Sequence, residues 1–150
     1  MPISQPLSPD QGTYALIMNC RKSTRLSVGK LGHMLLQPGF YIYVGSARGP
    51  GGIRARVSRH RRRKKKLHWH IDYLRQQTAL IEIWTMTGTT NYEHDWAAAL
   101  AAKYTTAHKR FGASDCRCSS HLFYAAARPP PDTIDTLCHD MAGKFEVKIF

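Results

Sequence analysis

The chain has 150 residues, a length typical of one compact domain, and its 22 Lys and Arg against 10 Asp and Glu give a formal net charge of +12. No apolar stretch approaches the roughly 20 residues that cross a bilayer, and the opening MPISQPLSPDQ lacks the layout of a signal peptide. The four cysteines are too few and too unevenly spaced for a disulfide framework. We therefore expect a cytoplasmic protein without a membrane partner.

The positive charge is concentrated in one segment. Nine of the 22 bases lie between Arg54 and Lys66, and without them the net charge of +12 falls to +3. Such a patch favours a phosphate-bearing partner because binding releases condensed counterions, whereas a solvated helical face is the simpler alternative. The predicted nucleic-acid-binding residues are Arg54, Arg59, Arg61, Arg62, Arg63, Lys64, Lys65 and Lys66.

The first half of the chain predicts a flexible lead-in followed by strands. Residues 1–11 are rich in proline and should be mobile. TYALIMN at 13–19 is apolar on both alternating faces, which is typical of a central strand. Residues 21–39 indicate a hairpin-like excursion. FYIYVGS at 40–46 predicts a second strand that places Tyr41, Tyr43 and Gly45 on one face.

The second half of the chain predicts helices around a third strand. IRARVSRHRRR and LHWHIDYLRQQ should be helices, the latter with Leu67, Ile71 and Leu74 on one face. ALIEIWTM predicts the third strand, and NYEHDWAAALAAKYT a helix rich in alanine. The fold class is therefore α+β, with a small, mostly antiparallel, three-stranded central sheet flanked by helices. Residues 125–150 should form a proline-rich linker and a C-terminal extension that packs on the same domain, with KFEVKIF at 144–150 patterned like an edge strand.

Several short motifs follow one another in a recognisable order. They are GTY at 12–14, YVG at 43–45, then Arg56 and His60 four residues apart, and later Glu93. In this order they resemble the GIY-YIG nuclease superfamily, although Thr13 and Val44 replace the two isoleucines of its name. YVGSA, HWHIDYL and SDCRC with the later HLF resemble a subfamily of small proteins that is also found fused to endonuclease-III-type DNA glycosylases. The resemblance covers about residues 12–124.

The resemblance implies a metal-dependent DNA endonuclease whose site residues are Tyr14, Tyr43, Arg56, His60 and Glu93. Tyr14 would deprotonate or orient the attacking water, and His60 or Tyr43 would help its proton leave. Arg56 would hold the phosphate, and Glu93 would bind one Mg²⁺ or Mn²⁺ that stabilises the leaving oxygen. The chemistry agrees, because arginine stays charged and offers phosphate a planar fork.

The residues by themselves leave alternatives open. Tyrosines in apolar strands are more often packing residues than catalysts. Arg54 and Arg59 offer a reach similar to that of Arg56, and only the i,i+4 link to His60 selects Arg56. His60 fits a surface position within the charge run equally well.

Glu93 also has a structural alternative. TNYE at 90–93 matches a capping box, with Thr90 as N-cap and Glu93 folding back to the helix start. On the other hand, Glu93 shares a helical face with Trp96 and Leu100, and an inward carboxylate needs a partner such as a metal or an arginine.

Two further motifs have weaker interpretations. GPGG at 49–52 fits a tight strand-to-helix turn better than a phosphate cradle. Cys116, Cys118 and His121 were considered as zinc ligands, but the C-x-C-x2-H spacing is unusual for zinc, so this site is not favoured.

The sequence therefore leaves three functions open. The first is the metal-dependent endonuclease acting on DNA, in repair or processing. The second is a non-catalytic nucleic-acid-binding module with the same fold and patch, for which Glu93 would be unnecessary. The third is a structural or interaction protein without affinity for nucleic acid.

Overall fold

The computed structural model describes residues 7–62, 66–67, 69–113, 118, 120–137 and 141–150. The strands are β1 (Gly12–Cys20), β2 (Thr24–Ser27), β3 (His33–Leu36), β4 (Gly39–Ala47), β5 (Ala79–Thr87), β6 (Thr105–Thr106), β7 (Leu122–Ala125) and β8 (Lys144–Ile149). The helices are α1 (Gly52–Arg61), α2 (His70–Arg75), α3 (Glu93–Lys103) and α4 (Thr133–Leu137), and a 3₁₀ turn covers Gly29–Leu31. The α+β class and the mostly antiparallel sheet are confirmed.

The main sheet has six strands in the order β6-β7-β4-β1-β5-β8, so the predicted three-stranded sheet was wrong in its extent. Its centre, β4-β1-β5, consists of the three predicted strands, and β2 with β3 forms a separate hairpin. KFEVKIF, patterned like an edge strand, forms β8 at one edge of the sheet, whereas β6 and β7 escaped prediction because they have only two and four residues. Such short segments carry too little alternation to predict a strand.

Helices cover both faces of the sheet and create two cores. On one face, Tyr14 and Leu16 of β1 pack in a cluster with Ile53 of α1 and Ile71 of α2. On the opposite face, alternate strand residues form a second cluster with Trp96 and Leu100 of α3 and Ile134 of α4. β1 is therefore buried on both sides, as its sequence indicates.

The described part of the lead-in is docked on α1. Leu7 is buried, its carbonyl accepts from Nε of Arg54 at 2.8 Å, and Arg54 N donates to the Ser8 carbonyl at 2.9 Å. Ile53 N likewise donates to the Asp10 carbonyl at 2.9 Å. These bonds satisfy the first amides of α1, so residues 7–10 act as the backbone cap of this helix.

An ion pair joins α1 to α2. Both Nη atoms of Arg59 donate to the carboxylate of buried Asp72, at 2.7 and 2.8 Å. The same carboxylate accepts from Trp69 N at 2.7 Å, next to the start of α2. Leu67 precedes this start and is exposed, so its predicted place on the inner face of a longer helix was wrong.

The C-terminal residues complete the sheet. β8 pairs antiparallel with β5 along the whole of Lys144–Ile149, and Ile134 of α4 is fully buried. Within the proline-rich linker, Nη2 of Arg128 donates at 2.7 Å to the buried carboxylate of Glu82, which also accepts from the Trp84 indole at 2.6 Å. Across the described ranges, no helix combines the length and the apolar character that crossing a membrane requires.

One glycine sets the spacing between β1 and β4. The register places Gly45 opposite Tyr14, and a Cβ on Gly45 would lie 2.5 Å from Cζ of the Tyr14 ring. The tyrosine ring therefore lies across the backbone of the neighbouring strand, in a space that any side chain at position 45 would fill.

Gly45→Ala is therefore expected to lower the free energy of unfolding by about 1–3 kcal/mol through overpacking. Gly49→Ala is the matched control, because nothing lies within 4 Å of the added methyl group. Urea denaturation measures both variants, and equal midpoints for the two would contradict the close approach of Tyr14.

Candidate active site

The two tyrosines of the motifs lie side by side on the face of the sheet that α1 covers. Tyr14 pairs with Gly45, and Leu16 pairs with Tyr43, so Tyr14 and Tyr43 point to the same side of the β1–β4 ladder. Both side chains are almost completely buried. The strand pairing predicted from GTY and YVG therefore brings the two hydroxyl groups into one region.

His60 on the last turn of α1 makes the closest polar contact with Tyr14. Its Nε2 lies 2.7 Å from the Tyr14 hydroxyl, and His60 has no exposed surface. Its ring also packs against Tyr43 and Trp69, with centroid separations of 6.1 and 5.8 Å. The alternative of a surface histidine within the charge run is thus not observed.

Arg56 lies one turn before His60 and is half-buried. Its Nη1 donates to the Ser46 carbonyl at 3.0 Å, and its guanidinium lies 4.6 Å from the centroid of the Trp69 ring. The stacking and the hydrogen bond fix the plane of the guanidinium. Arg56 thereby differs from Arg54, which binds Leu7, and from Arg59, which binds Asp72.

Glu93 is the first residue of α3, and this helix starts next to the N-terminal end of β1, where Tyr14 lies. Its helix start is attached there because Tyr92 N donates to the buried hydroxyl of Thr13 at 3.0 Å. Thr13 stands where the motif name has isoleucine, and this hydrogen bond is a role of its hydroxyl that the sequence did not reveal. The N-cap residue is Tyr92 without a side-chain cap, so the predicted capping box with Thr90 was wrong.

The Glu93 carboxylate is directed to a histidine instead. Its Oε2 lies 3.2 Å from Nδ1 of buried His121, and 19 % of the glutamate side chain is exposed. The sequence suggests only a zinc-ligand role for His121. No local pattern links it to Glu93, because the contact depends on β7 packing beside α3.

Burial raises the pKa of Tyr14 and of Tyr43 above the ordinary value of 10.0. For Tyr14, the positive charge of Arg56 and a hydrogen bond from its side chain lower the pKa and so oppose this rise, while the negative charge of Glu93 adds to it. For Tyr43, the neighbouring Tyr14 and Glu93 add to the rise. Both hydroxyl groups are therefore protonated at neutral pH, and the charges of Arg56 and Glu93 act on both of them.

The donor set at Glu93 fits a hard divalent ion. Mg²⁺ commonly uses one or two carboxylates and completes its shell with water and substrate phosphate oxygens. Glu93 supplies one partly exposed carboxylate, whose charge acts on Tyr14 together with that of Arg56. The residues present are thus compatible with one Mg²⁺ or Mn²⁺ held largely by Glu93 and the substrate.

The basic segment is divided between structural and exposed side chains. Arg54 and Arg59 are engaged with Leu7 and Asp72, and the Arg61 guanidinium lies 4.7 Å from the centroid of the Phe150 ring. Arg62 and Lys66 are exposed. Arg63, Lys64 and Lys65 lie outside the described residues.

The GPGG loop forms a turn. Gly51 and Gly52 have φ angles of 82° and 55°, in the left-handed region that glycine favours. The amides that follow are occupied, since those of Ile53 and Arg54 bind the carbonyls of Asp10 and Ser8. The start of α1 therefore offers no free amides at these two positions, and the turn interpretation is the better one.

Two of the three zinc-ligand candidates lie within the described residues. Cys116 lies outside the described residues, whereas Cys118 and His121 lie together with His94 of α3. Potential ligand atoms of these three residues all lie within 4.8 Å of one another. His94 was missed because it precedes Cys118 by more than 20 residues in a different element.

Comparison with known proteins adds one finding. A family model described as "Domain of unknown function DUF123" matches residues 13–143, which is most of the chain. The curated proteins gave no match. The solved structures gave none either. The chain therefore belongs to the DUF123 family, a domain family of unknown function.

Proposed function

We propose that this chain is a divalent-metal-dependent endonuclease that hydrolyses phosphodiester bonds in DNA. The observation that carries the proposal is the contact of 2.7 Å between the Tyr14 hydroxyl and Nε2 of His60, beside Arg56 in a buried setting. The resemblance to GIY-YIG nucleases supports it, because the same residues match the site of that superfamily.

The Tyr14–His60 pair provides a route for the proton of the attacking water. A phenol whose pKa is raised by burial is protonated at rest, so Tyr14 alone is a poor base. With Nε2 of His60 as acceptor, Tyr14 passes its own proton to the imidazole while it takes one from the water. Tyr43 packs against the His60 ring and holds its orientation.

Arg56 binds the phosphate in this proposal. Its guanidinium is held in one plane by Trp69 and by the Ser46 carbonyl, so little side-chain entropy is lost when a phosphate binds. Its fixed charge offsets the negative charge that develops on the phosphate oxygens during attack. A divalent ion on Glu93 would supply Lewis-acid stabilisation of the leaving oxygen.

The charge distribution favours a nucleic acid as the substrate. Arg62 directly follows α1 and Lys66 lies four residues further along the chain, and both side chains are exposed. Contacts between such basic side chains and the phosphate backbone of DNA position a duplex on the protein without reading its sequence. A non-catalytic binding module remains the second candidate, since the same exposed bases would serve it equally.

Tyr14→Phe is expected to lower the rate of DNA cleavage by about 100-fold or more, because it removes only the proton-transferring hydroxyl. Tyr41→Phe is the matched control. It also removes a buried hydroxyl from the same sheet face, but that hydroxyl accepts from Gln37 N at 2.9 Å.

The measurement is cleavage of branched, damaged and plain DNA with Mg²⁺ or Mn²⁺. If no substrate is cut while DNA still binds, the chain is the binding module instead. Equal rates for Tyr14→Phe and the unmodified protein would refute the assigned role of Tyr14.

Glu93→Gln is expected to abolish the dependence of cleavage on Mg²⁺ concentration together with most of the rate, because the amide is neutral and a poor ligand for a hard ion. Asp95→Asn is the matched control, since Asp95 is an exposed carboxylate in the same first turn of α3. Titration of Mg²⁺ in the cleavage assay measures both. A metal response that survives in Glu93→Gln would exclude Glu93 as the ligand.

Replacing Arg62 and Lys66 with glutamine is expected to weaken DNA binding and to reduce the slope of log K against log salt by about two, one for each lost phosphate contact. Lys22→Gln with Lys30→Gln is the control, because it removes two exposed charges from outside the basic segment. Fluorescence anisotropy at several salt concentrations measures the slope. Equal slopes for the two double variants would contradict a localised binding surface.

A further inference from the structure

Three side chains with soft donor atoms converge beside the candidate active site. His94 comes from the first turn of α3, Cys118 from the segment before β7, and His121 from the residue directly before β7. Their potential ligand atoms lie within 4.8 Å of one another. None of the three has a role in the hydrolysis proposed above.

The backbone holds two of these residues firmly. His121 N donates to the Phe111 carbonyl at 2.7 Å, and the His121 carbonyl accepts from Val44 N at 3.0 Å. The Cys118 carbonyl accepts from Nη1 of Arg110 at 2.8 Å. The backbone positions of His121 and Cys118 are therefore set by contacts other than those that a ligand would make, which favours a preorganised site.

The spacing of the donor atoms approaches that of a metal site. Zinc bonds of about 2.1 Å to nitrogen and 2.3 Å to sulfur imply donor separations of about 3.5 Å in a tetrahedral site. The three donors lie within 4.8 Å of one another, so closing the gap requires shifts of about 1 Å or a little more. His121 is buried, Cys118 is half-buried and His94 is exposed, so the cluster opens to solvent on the His94 side.

The surroundings of His121 also fit a metal site. Cys118 would bind as the thiolate, and the Glu93 carboxylate lies 3.2 Å from Nδ1 of His121. A carboxylate next to a histidine ligand is a common arrangement in zinc sites, where it orients the ring and increases its basicity.

We propose that His94, Cys118 and His121 form a site for a zinc-class transition metal, separate in chemistry from the Mg²⁺ or Mn²⁺ proposed at Glu93. Imidazole and thiolate donors select zinc-like ions, whereas Mg²⁺ and Mn²⁺ prefer oxygen. An ion here would join the start of α3 to the start of β7. It would thus fix the helix end that carries Glu93.

The test measures metal content without DNA and without cleavage, so it is independent of the proposed hydrolysis. The purified full-length chain is loaded with Zn²⁺, dialysed and analysed by mass spectrometry for bound zinc. In a parallel sample, Co²⁺ reports a thiolate ligand through a charge-transfer band in the near ultraviolet. We expect stoichiometric zinc and the thiolate band.

Variants assign the ligands. Cys118→Ser should remove the thiolate band, and His94→Ala should lower bound zinc to background. Cys20→Ser and His33→Ala are the matched controls, because Cys20 is a buried thiol that donates to the Lys22 carbonyl and His33 is an exposed histidine on β3. Both controls should bind zinc as the unmodified chain does, and circular dichroism verifies that each variant is folded.

Two results would overturn the proposal. One is a cobalt complex of the unmodified chain that lacks the thiolate band, which needs no variant and so cannot be caused by misfolding. The other is a zinc content that Cys118→Ser leaves intact, including the case in which Cys116→Ser alone removes it.

Discussion

The site depends on the close approach of the Tyr14 ring to the backbone of β4 at Gly45. Because position 45 has no side chain, the ring lies across the neighbouring strand and its hydroxyl reaches His60 on α1 at 2.7 Å. Sheet and helix thus share a fully buried polar contact within an apolar layer, and the bond from Arg56 to the Ser46 carbonyl adds a partly buried one. A buried polar group without a partner lowers the free energy of unfolding. The contact between Tyr14 and His60 therefore ties the position of α1 to the register of β1 and β4.

Several ionic contacts support that position of α1. Arg59 forms a two-pronged ion pair with Asp72, and Nε of buried Arg75 donates to the His60 carbonyl at 2.9 Å. The guanidinium groups of Arg56 and Arg59 both pack against the ring of Trp69. A charge run that suggests one uniform binding surface therefore consists of two groups. Arg56 and Arg59 are engaged with Trp69 and Asp72, whereas Arg62 and Lys66, which follow them, are exposed.

Much of the fold was predictable because its central elements are long and strongly patterned. β1, β4 and β5 each have nine residues, and their largely apolar sequences, apolar on both faces in β1, indicated strands near their observed bounds. The hairpin and α1 were likewise expected. β6 and β7 are too short to carry a pattern, and the length of α2 was overestimated because Leu67 matches a helical period but lies before Trp69. Tertiary pairing decided these segments, as it often does for short elements.

The sequence by itself determined which chemical groups are available: the paired tyrosines, the arginine and histidine one helical turn apart, the localised charge and the cores on both sides of β1. These follow from residue type and spacing, which act locally. Only the tertiary structure decided that Glu93 faces His121 instead of capping its own helix, and that His94 meets Cys118 and His121. Such contacts join residues far apart in the chain. They arise from the packing of α3 beside β7, which no local pattern encodes.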